Sequence, residues 1–292
     1  MTSFPVSAQI TAVVDLTVGT LHVVASDRDD VVVTILPTNP GKAADARTAQ
    51  DTTVEFANDV LTVQGPRSVK QYLMGARGTV DATIELPTGS TLTGKVWAGS
   101  LYTEGRLASV DVTVSAGSAR IDEAGRLGLR ASAGSVVVGR VTGPTDVRAA
   151  AGSVRVREVV GDAVVKSSNG DTTIGSVTGS LTVSGAHGEI IIGRVRGTVN
   201  AKASSGGIRV DSIDAGSLTL ATSYGSVEVG VPEGTAAWLD ASSKYGNVRN
   251  LLEPSDAPVD EGNAVEVHAT TSYGDVIVRR PESTSPFTST GV

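Results

Sequence analysis

Few side chains in this 292-residue chain have types and spacing that could do chemistry. Glycoside cleavage on a β-helix needs paired carboxylates facing one cleft, with basic residues beside them. The candidates Asp146, Glu158, Asp162, Asp171, Glu189 and Asp211 fall in different columns of the repeat set out below and are read as solvated turn and face residues. His22, His187 and His268 are far apart in sequence, whereas a metal centre or a catalytic triad needs convergent neighbours. There is no Cys, hence no disulfide, no thiolate-bound zinc and no cysteine nucleophile. Asp directly follows one of the ten first-column turn glycines given below only at Asp171 and Asp275, too rarely for a calcium-binding repeat. The expectation is a chain with no catalytic residue, no metal site and no cofactor. One column stands apart: Tyr224, Tyr245 and Tyr273 each precede a turn glycine. They would form either a stacked ladder that steadies the less regular coils or a contact strip for a sugar or protein.

A repeat carries these residues. The motif small–x–Gly–small–aliphatic–x–aliphatic reads SAGSARI, SAGSVVV, AAGSVRV, SNGDTTI, SSGGIRV, SYGSVEV and SYGDVIV. Its central glycines are Gly99, Gly117, Gly134, Gly152, Gly170, Gly188, Gly206, Gly225, Gly246 and Gly274, at spacings of 18, 17, 18, 18, 18, 18, 19, 21 and 28. A second column with the same period runs Gly125, Gly143, Gly161, Gly179 and Gly197, then Gly216 and Gly234, so each repeat holds two turns. Two and four places after a first-column glycine stand aliphatics, as at Val154 and Val156 or Ile190 and Ile192. The position between them is mostly polar, as at Arg120, Arg155, Thr173, Arg209, Glu228 and Arg249. That alternation marks a strand with one buried face. Serines two places before the glycine, such as Ser168, Ser204 and Ser223, are placed to hydrogen-bond their own turn. The fold expected is all-β: a single-stranded β-solenoid, or β-helix, right-handed, with about 18 residues per coil and irregular N-terminal capping coils.

Composition agrees with thin aliphatic layers, since aromatics make up only 3% of the residues and glycines number 34. A net charge of −7, with 24 scattered basic residues, argues against a nucleic-acid partner. No apolar run approaches the roughly 20 residues of a membrane-spanning helix, and no signal sequence is visible. The expected location is cytoplasmic, with the cell surface reached only by an unrecognised export route.

The map expected is one structural domain: residues 1–96 as irregular coils and cap, 97–280 as regular repeats with an insertion at 251–263, and 281–292 as a disordered tail. Two polar loops interrupt the first part, Pro37 to Gln50 and Gln64 to Gly78, the second carrying Tyr72, Leu73 and Met74. Arg279, Arg280 and Pro281 would end the last coil and blunt an exposed sheet edge.

The glycine spacing, an LP-x-G segment before the array, the late segment VPEGTAAWLDASSKYGNV and the closing SYGDVIVRRP give the chain a family likeness. Over about residues 8–281 it resembles the bacterial putative-adhesin family of β-strand-repeat proteins, a domain of unknown function of actinobacterial type. The resemblance implies a β-solenoid and a non-enzymatic role: a scaffold or adhesin-like binding protein that presents an extended surface to a protein or glycan. Two alternatives stay open, a carbohydrate-active parallel β-helix enzyme and a cytoplasmic structural protein that assembles end to end. The blunted last coil favours a monomer.

Overall fold

A computed structural model describes residues 1–66, 78–252 and 264–281. The chain divides into two compact units, Met1–Val141 and Thr142–Val292. Both are built almost wholly of strands. Residues 67–77, with Tyr72, Leu73 and Met74, the greater part of the 251–263 insertion and residues 282–292 of the tail lie outside the described residues.

Unit 1 contains β1 (Thr2–Pro5), β2 (Thr11–Ser26), β3 (Asp30–Pro37), α1 (Ala43–Asp51), β4 (Thr53–Ala57), β5 (Val60–Gln64), β6 (Val80–Pro87), β7 (Thr91–Glu104), β8 (Arg106–Ala116), β9 (Ala119–Ala133) and β10 (Val136–Val141). β2 shows how one long strand makes a coil. Ala12, Val14 and Leu16 are buried before Gly19, and Leu21, Val23 and Ala25 after it, so the inward parity switches where the chain bends. β7 lies parallel to β2, from Thr11 opposite Thr91 to Val24 opposite Glu104. β8 pairs in parallel with β7, β9 with β8 and β10 with β9. On the other side of β2 lie β5 and β6. The outermost strands are antiparallel: β4 pairs with β5, β3 with β6 and β1 with β3.

Three details differ from the sequence reading or sharpen it. The polar stretch 37–50 holds a helix, α1, in an Ala-rich segment of high helix propensity. Asp45 in its first turn is 2% exposed and accepts from the backbone N–H groups of Asn39 (3.1 Å) and Thr79 (3.0 Å). Asn58 and Asp59, both at positive φ (51° and 59°), form the two-residue hairpin between β4 and β5. The expected boundary at 96/97 falls inside β7, which continues unbroken from Thr91 to Glu104.

Unit 2 contains β11 (Thr145–Ala151), β12 (Val154–Asn169), β13 (Thr172–His187), β14 (Ile190–Ser205), β15 (Ile208–Tyr224), β16 (Val227–Gly230), β17 (Ala236–Ser243), β18 (Val248–Asn250), β19 (Ala264–Tyr273) and β20 (Val276–Arg279). From β11 to β15 each strand lies parallel to the next: Val154 faces Thr172, Thr172 faces Ile190, and Ile190 faces Ile208. The inward column is fully aliphatic except for Thr172, whose buried hydroxyl has no hydrogen-bond partner. Between β14 and β15 the register slips by one residue, Val195 facing Ile213 and Arg196 facing Ala215. Asp214 is the extra residue of this β-bulge, and Arg196 Nε (3.2 Å) and Arg194 Nε (3.6 Å) approach its carboxylate. The bulge accounts for the 19-residue interval from Gly206 to Gly225.

The C-terminal rungs do not stack in chain order. β15 pairs with β19, and β19 with β17; likewise β16 pairs with β20, and β20 with β18. The coil of β19 and β20 is therefore enclosed, and among the described residues β17 with β18 forms the outermost rung. This corrects the role assigned to Arg279, Arg280 and Pro281. Arg279 forms an ion pair with Glu228, and Arg280 Nη1 donates to the carbonyls of Val231 (3.2 Å) and Pro232 (2.6 Å). These arginines lock the enclosed coil to the rung beneath it.

Candidate functional site

The turn glycines set the site. Nine of the ten have φ between 118° and 147°, a region open to glycine and strained for other residues; Gly246 is the exception. In unit 1 the column starts earlier than the sequence reading placed it, with Gly19 beneath Gly99, then Gly117 and Gly134. In unit 2 Gly152, Gly170, Gly188, Gly206 and Gly225 stack in turn, followed by Gly274 and then Gly246. A Cβ on Gly188 would lie 2.5 Å from the carbonyl oxygen of Gly170. In the second column Gly161, Gly179, Gly197 and Gly216 stack on their predecessors, but Gly234 has nothing within 4 Å and stands outside it.

Hydroxyls tie these turns together, one position earlier than the sequence reading assigned. Thr222 Oγ1 donates to the Gly206 carbonyl (2.9 Å), Thr271 Oγ1 to that of Gly225 (2.8 Å) and Ser243 Oγ to that of Gly274 (2.8 Å). Each stands three places before its own glycine, on the inward side, and reaches the neighbouring rung. A residue two places before the glycine points the other way, because side chains alternate along a strand.

The column just before the glycine runs Asn169, His187, Ser205, Tyr224 and Tyr273 along paired strands. Tyr273 stacks on Tyr224 with centroids 4.9 Å apart and on Tyr245 at 4.7 Å, the planes inclined by 2° and 18°. The three predicted tyrosines do come together, with Tyr273 in the middle. They are 59%, 47% and 58% exposed in the order Tyr224, Tyr273, Tyr245. Their inner faces are spent on one another, so the strip offers ring edges and a row of phenol hydroxyls. Lys244 Nζ lies over Tyr245, 5.1 Å from its centroid.

A second cluster sits on the outward face of the same rungs. Trp238 meets His268 edge-on at 5.0 Å, while the two ring nitrogens of His268 face Glu266 (Nε2, 2.9 Å) and Asp240 (Nδ1, 3.3 Å). Hydrogen bonds to Glu266, then to Asp240, raise the His268 pKa above its ordinary value. Sequence reasoning missed this cluster. The alternation in AWLDAS and VEVHAT does put Trp238, Asp240, Glu266 and His268 outward, but only the β17–β19 pairing makes them neighbours.

The carboxylates considered for catalysis are spread over the coils. Asp146 holds Arg148 (2.8 Å), and Asp211 holds Arg209 (2.7 Å). Asp171 and Glu189 do share a column, contrary to the sequence reading: they are neighbours in the turns that lead into β13 and β14, and Asp171 Oδ1 accepts from the Glu189 N–H at 2.9 Å. His187 is exposed beside its turn, and His22 pairs with Glu104 at 3.0 Å. Among the described residues no group of three His, Cys, Asp or Glu could hold a metal, and no helix is long and apolar enough to cross a membrane.

The family model described as Toastrack DUF4097 matches residues 13–279. Similar solved structures include a putative adhesin from Parabacteroides merdae, 13% identical, covering 78% of this chain and 94% of that one with a TM-score of 0.48. A putative adhesin from Parabacteroides distasonis is 16% identical over 78% and 95% of the two chains, TM-score 0.44. A putative lipid binding protein from the same organism is 12% identical over 95% of each, TM-score 0.44. No curated protein matches the chain.

Proposed function

The chain belongs to the Toastrack DUF4097 family, and from that premise we propose that it is a non-catalytic β-solenoid scaffold whose tyrosine strip binds a protein or glycan partner. The observation that carries this reading is the exposure of Tyr224, Tyr273 and Tyr245 on rungs whose inward positions are mostly aliphatic. Half-exposed aromatics are costly to leave in water and are the side chains that anchor binding surfaces. The ladder also fixes each ring before a partner arrives, so little side-chain entropy is lost on binding. Because both faces of Tyr273 and the inner faces of Tyr224 and Tyr245 are occupied, recognition along the strip falls mainly to the phenol hydroxyls and edges. That suits a partner rich in hydrogen-bonding groups, a glycan chain or a polar peptide.

The test replaces all three tyrosines with Ser and compares variant and native protein in a glycan-array screen and in a pull-down from native cells, with cell fractionation to place the partner. Circular dichroism and melting report the fold. Retained fold with lost capture supports the strip. Unchanged capture by a folded variant removes it from the binding surface.

A further inference from the structure

Trp238, Asp240, Glu266 and His268 form a square on the outward face of β17 and β19, apart from the tyrosine strip. The register of the two strands sets Trp238 opposite Glu266 and Asp240 opposite His268. The imidazole holds the square together: it faces Asp240 through Nδ1 (3.3 Å) and Glu266 through Nε2 (2.9 Å), and it meets the indole at 5.0 Å. Each carboxylate keeps one oxygen to spare. Among the described residues neither makes a second side-chain hydrogen bond or ion pair, which leaves Asp240 Oδ1 and Glu266 Oε2 to accept from a ligand.

The chemistry of the square selects that ligand. Trp238 is 57% exposed, and among the described residues no strand pairs with the outer edge of β17, so part of the indole surface is open to an arriving group. Two carboxylates border it, and one imidazole can neutralise only one of them. The outward positions around the square are uncharged: Ser217 and Thr219 on β15, Ala264 and Thr270 on β19, Ala236 and Ser242 on β17. The local field is therefore negative, which favours a cation. An aromatic surface beside two acceptors suits a planar cation with several N–H donors. A guanidinium has that form: it stacks on indole and donates through a rigid fork, whereas an ammonium is a compact point charge.

We propose that this square binds the guanidinium of an arginine side chain on a protein partner, stacked on Trp238 and held by Asp240 and Glu266. The site is separate from the tyrosine strip and stands whether or not that strip binds.

His268 is a competitor built into the site. Protonated, it spends its charge on the same two carboxylates; neutral, it leaves both charges to the arginine. No other titratable group faces it, since β15 contributes only Thr219 opposite His268 and Ser217 opposite Glu266. The two carboxylates already favour a cation, as the raised His268 pKa records. Arginine binding therefore strengthens as pH rises through the folded-state value, and bound arginine lowers that value in return, because the coupling is reciprocal.

The test titrates N-acetyl-arginine amide into the full chain, with N-acetyl-citrulline amide as its neutral isostere, and follows the His268 imidazole and Trp238 indole signals by NMR. The arginine compound shifts both signals and the citrulline compound neither, and the affinity rises about fivefold from below to above the His268 titration. Asp240→Asn and Glu266→Gln each weaken binding about threefold or more. Trp238→Ala abolishes it, and His268→Gln keeps it without the pH step, with circular dichroism confirming each fold. The variant with all three strip tyrosines replaced by Ser binds the arginine compound as the native protein does, which separates this site from the strip. No binding by the native protein, an equal response to citrulline, or an affinity indifferent to pH overturns the proposal.

Discussion

Tyr273 is inserted between Tyr224 and Tyr245, stacked on both, although it follows both in the chain. The middle ring has two partners and each outer ring one. Tyr273→Ser should therefore cost more stability than Tyr224→Ser or Tyr245→Ser, about 2 kcal/mol against about 1 kcal/mol, taking each stacked pair at about 1 kcal/mol. Denaturant titration of the three single variants checks the order. Equal losses would mean that the stacking is incidental.

Replacing a stacked turn glycine is a harsher test. At Gly170 φ is 128°, and an added Cβ would run into the carbonyl of Gly152 on the rung below. Gly170→Val combines strain with overlap and should cost at least about 3 kcal/mol. Gly234→Ala, with nothing within 4 Å, should cost only about 1–2 kcal/mol, through its φ of 77° alone. Thermal melts of the pair separate stacking from backbone freedom.

Thr172 works in the opposite direction. Its hydroxyl is buried without a hydrogen-bond partner, in a column otherwise filled by Val154, Ile190 and Ile208. Thr172→Val keeps the shape and removes the orphaned group, so stability should rise by about 1 kcal/mol. A loss in urea denaturation would show that the hydroxyl is satisfied.

His268 makes part of the stability depend on pH. Glu266 and Asp240 raise its folded-state pKa above the ordinary value of 6.5. A raised pKa means that the folded state binds the proton more tightly than the unfolded state. The contribution is therefore fully present below 6.5 and lost as pH rises through the folded-state value. Imidazole titration by NMR should show the raised value, and His268→Gln should flatten the stability profile across that window. An unaltered profile would remove His268 as its source.

The deletion of Asp214 tests the bulge. Removing the extra residue would restore the even register of β14 and β15 while taking the shared carboxylate from Arg194 and Arg196. A change within about 1 kcal/mol of native stability is expected, because exposed ion pairs contribute little. A large loss by denaturant titration would mean that the bulge is needed to seat the rungs above it.

Much of the stack was legible in the sequence because its rule is local. Alternation and glycine spacing read directly as Val154, Val156, Ile190 and Ile192 turned inward and Gly170 or Gly188 at a turn. What escaped depends on which coil lies on which. Chain order placed β17 below β19, whereas β19 in fact lies between β15 and β17, and no spacing reports that a later segment slips inside an earlier one. The same blindness hid the meeting of Trp238 with His268 and misjudged Arg279 as an edge residue. The helix α1 was missed for another reason: Lys42 to Asp51 has no apolar periodicity, and Asp45 is buried by backbone donors that only the fold supplies.

The enclosed position of β19 and β20 bears on how the molecule is made. A ribosome delivers β17 and β18 before the coil on which they rest, so this end of the protein cannot be completed in the order of its synthesis. A product cut short ahead of Ala264 loses both the enclosed coil and the footing of the rung that rests on it.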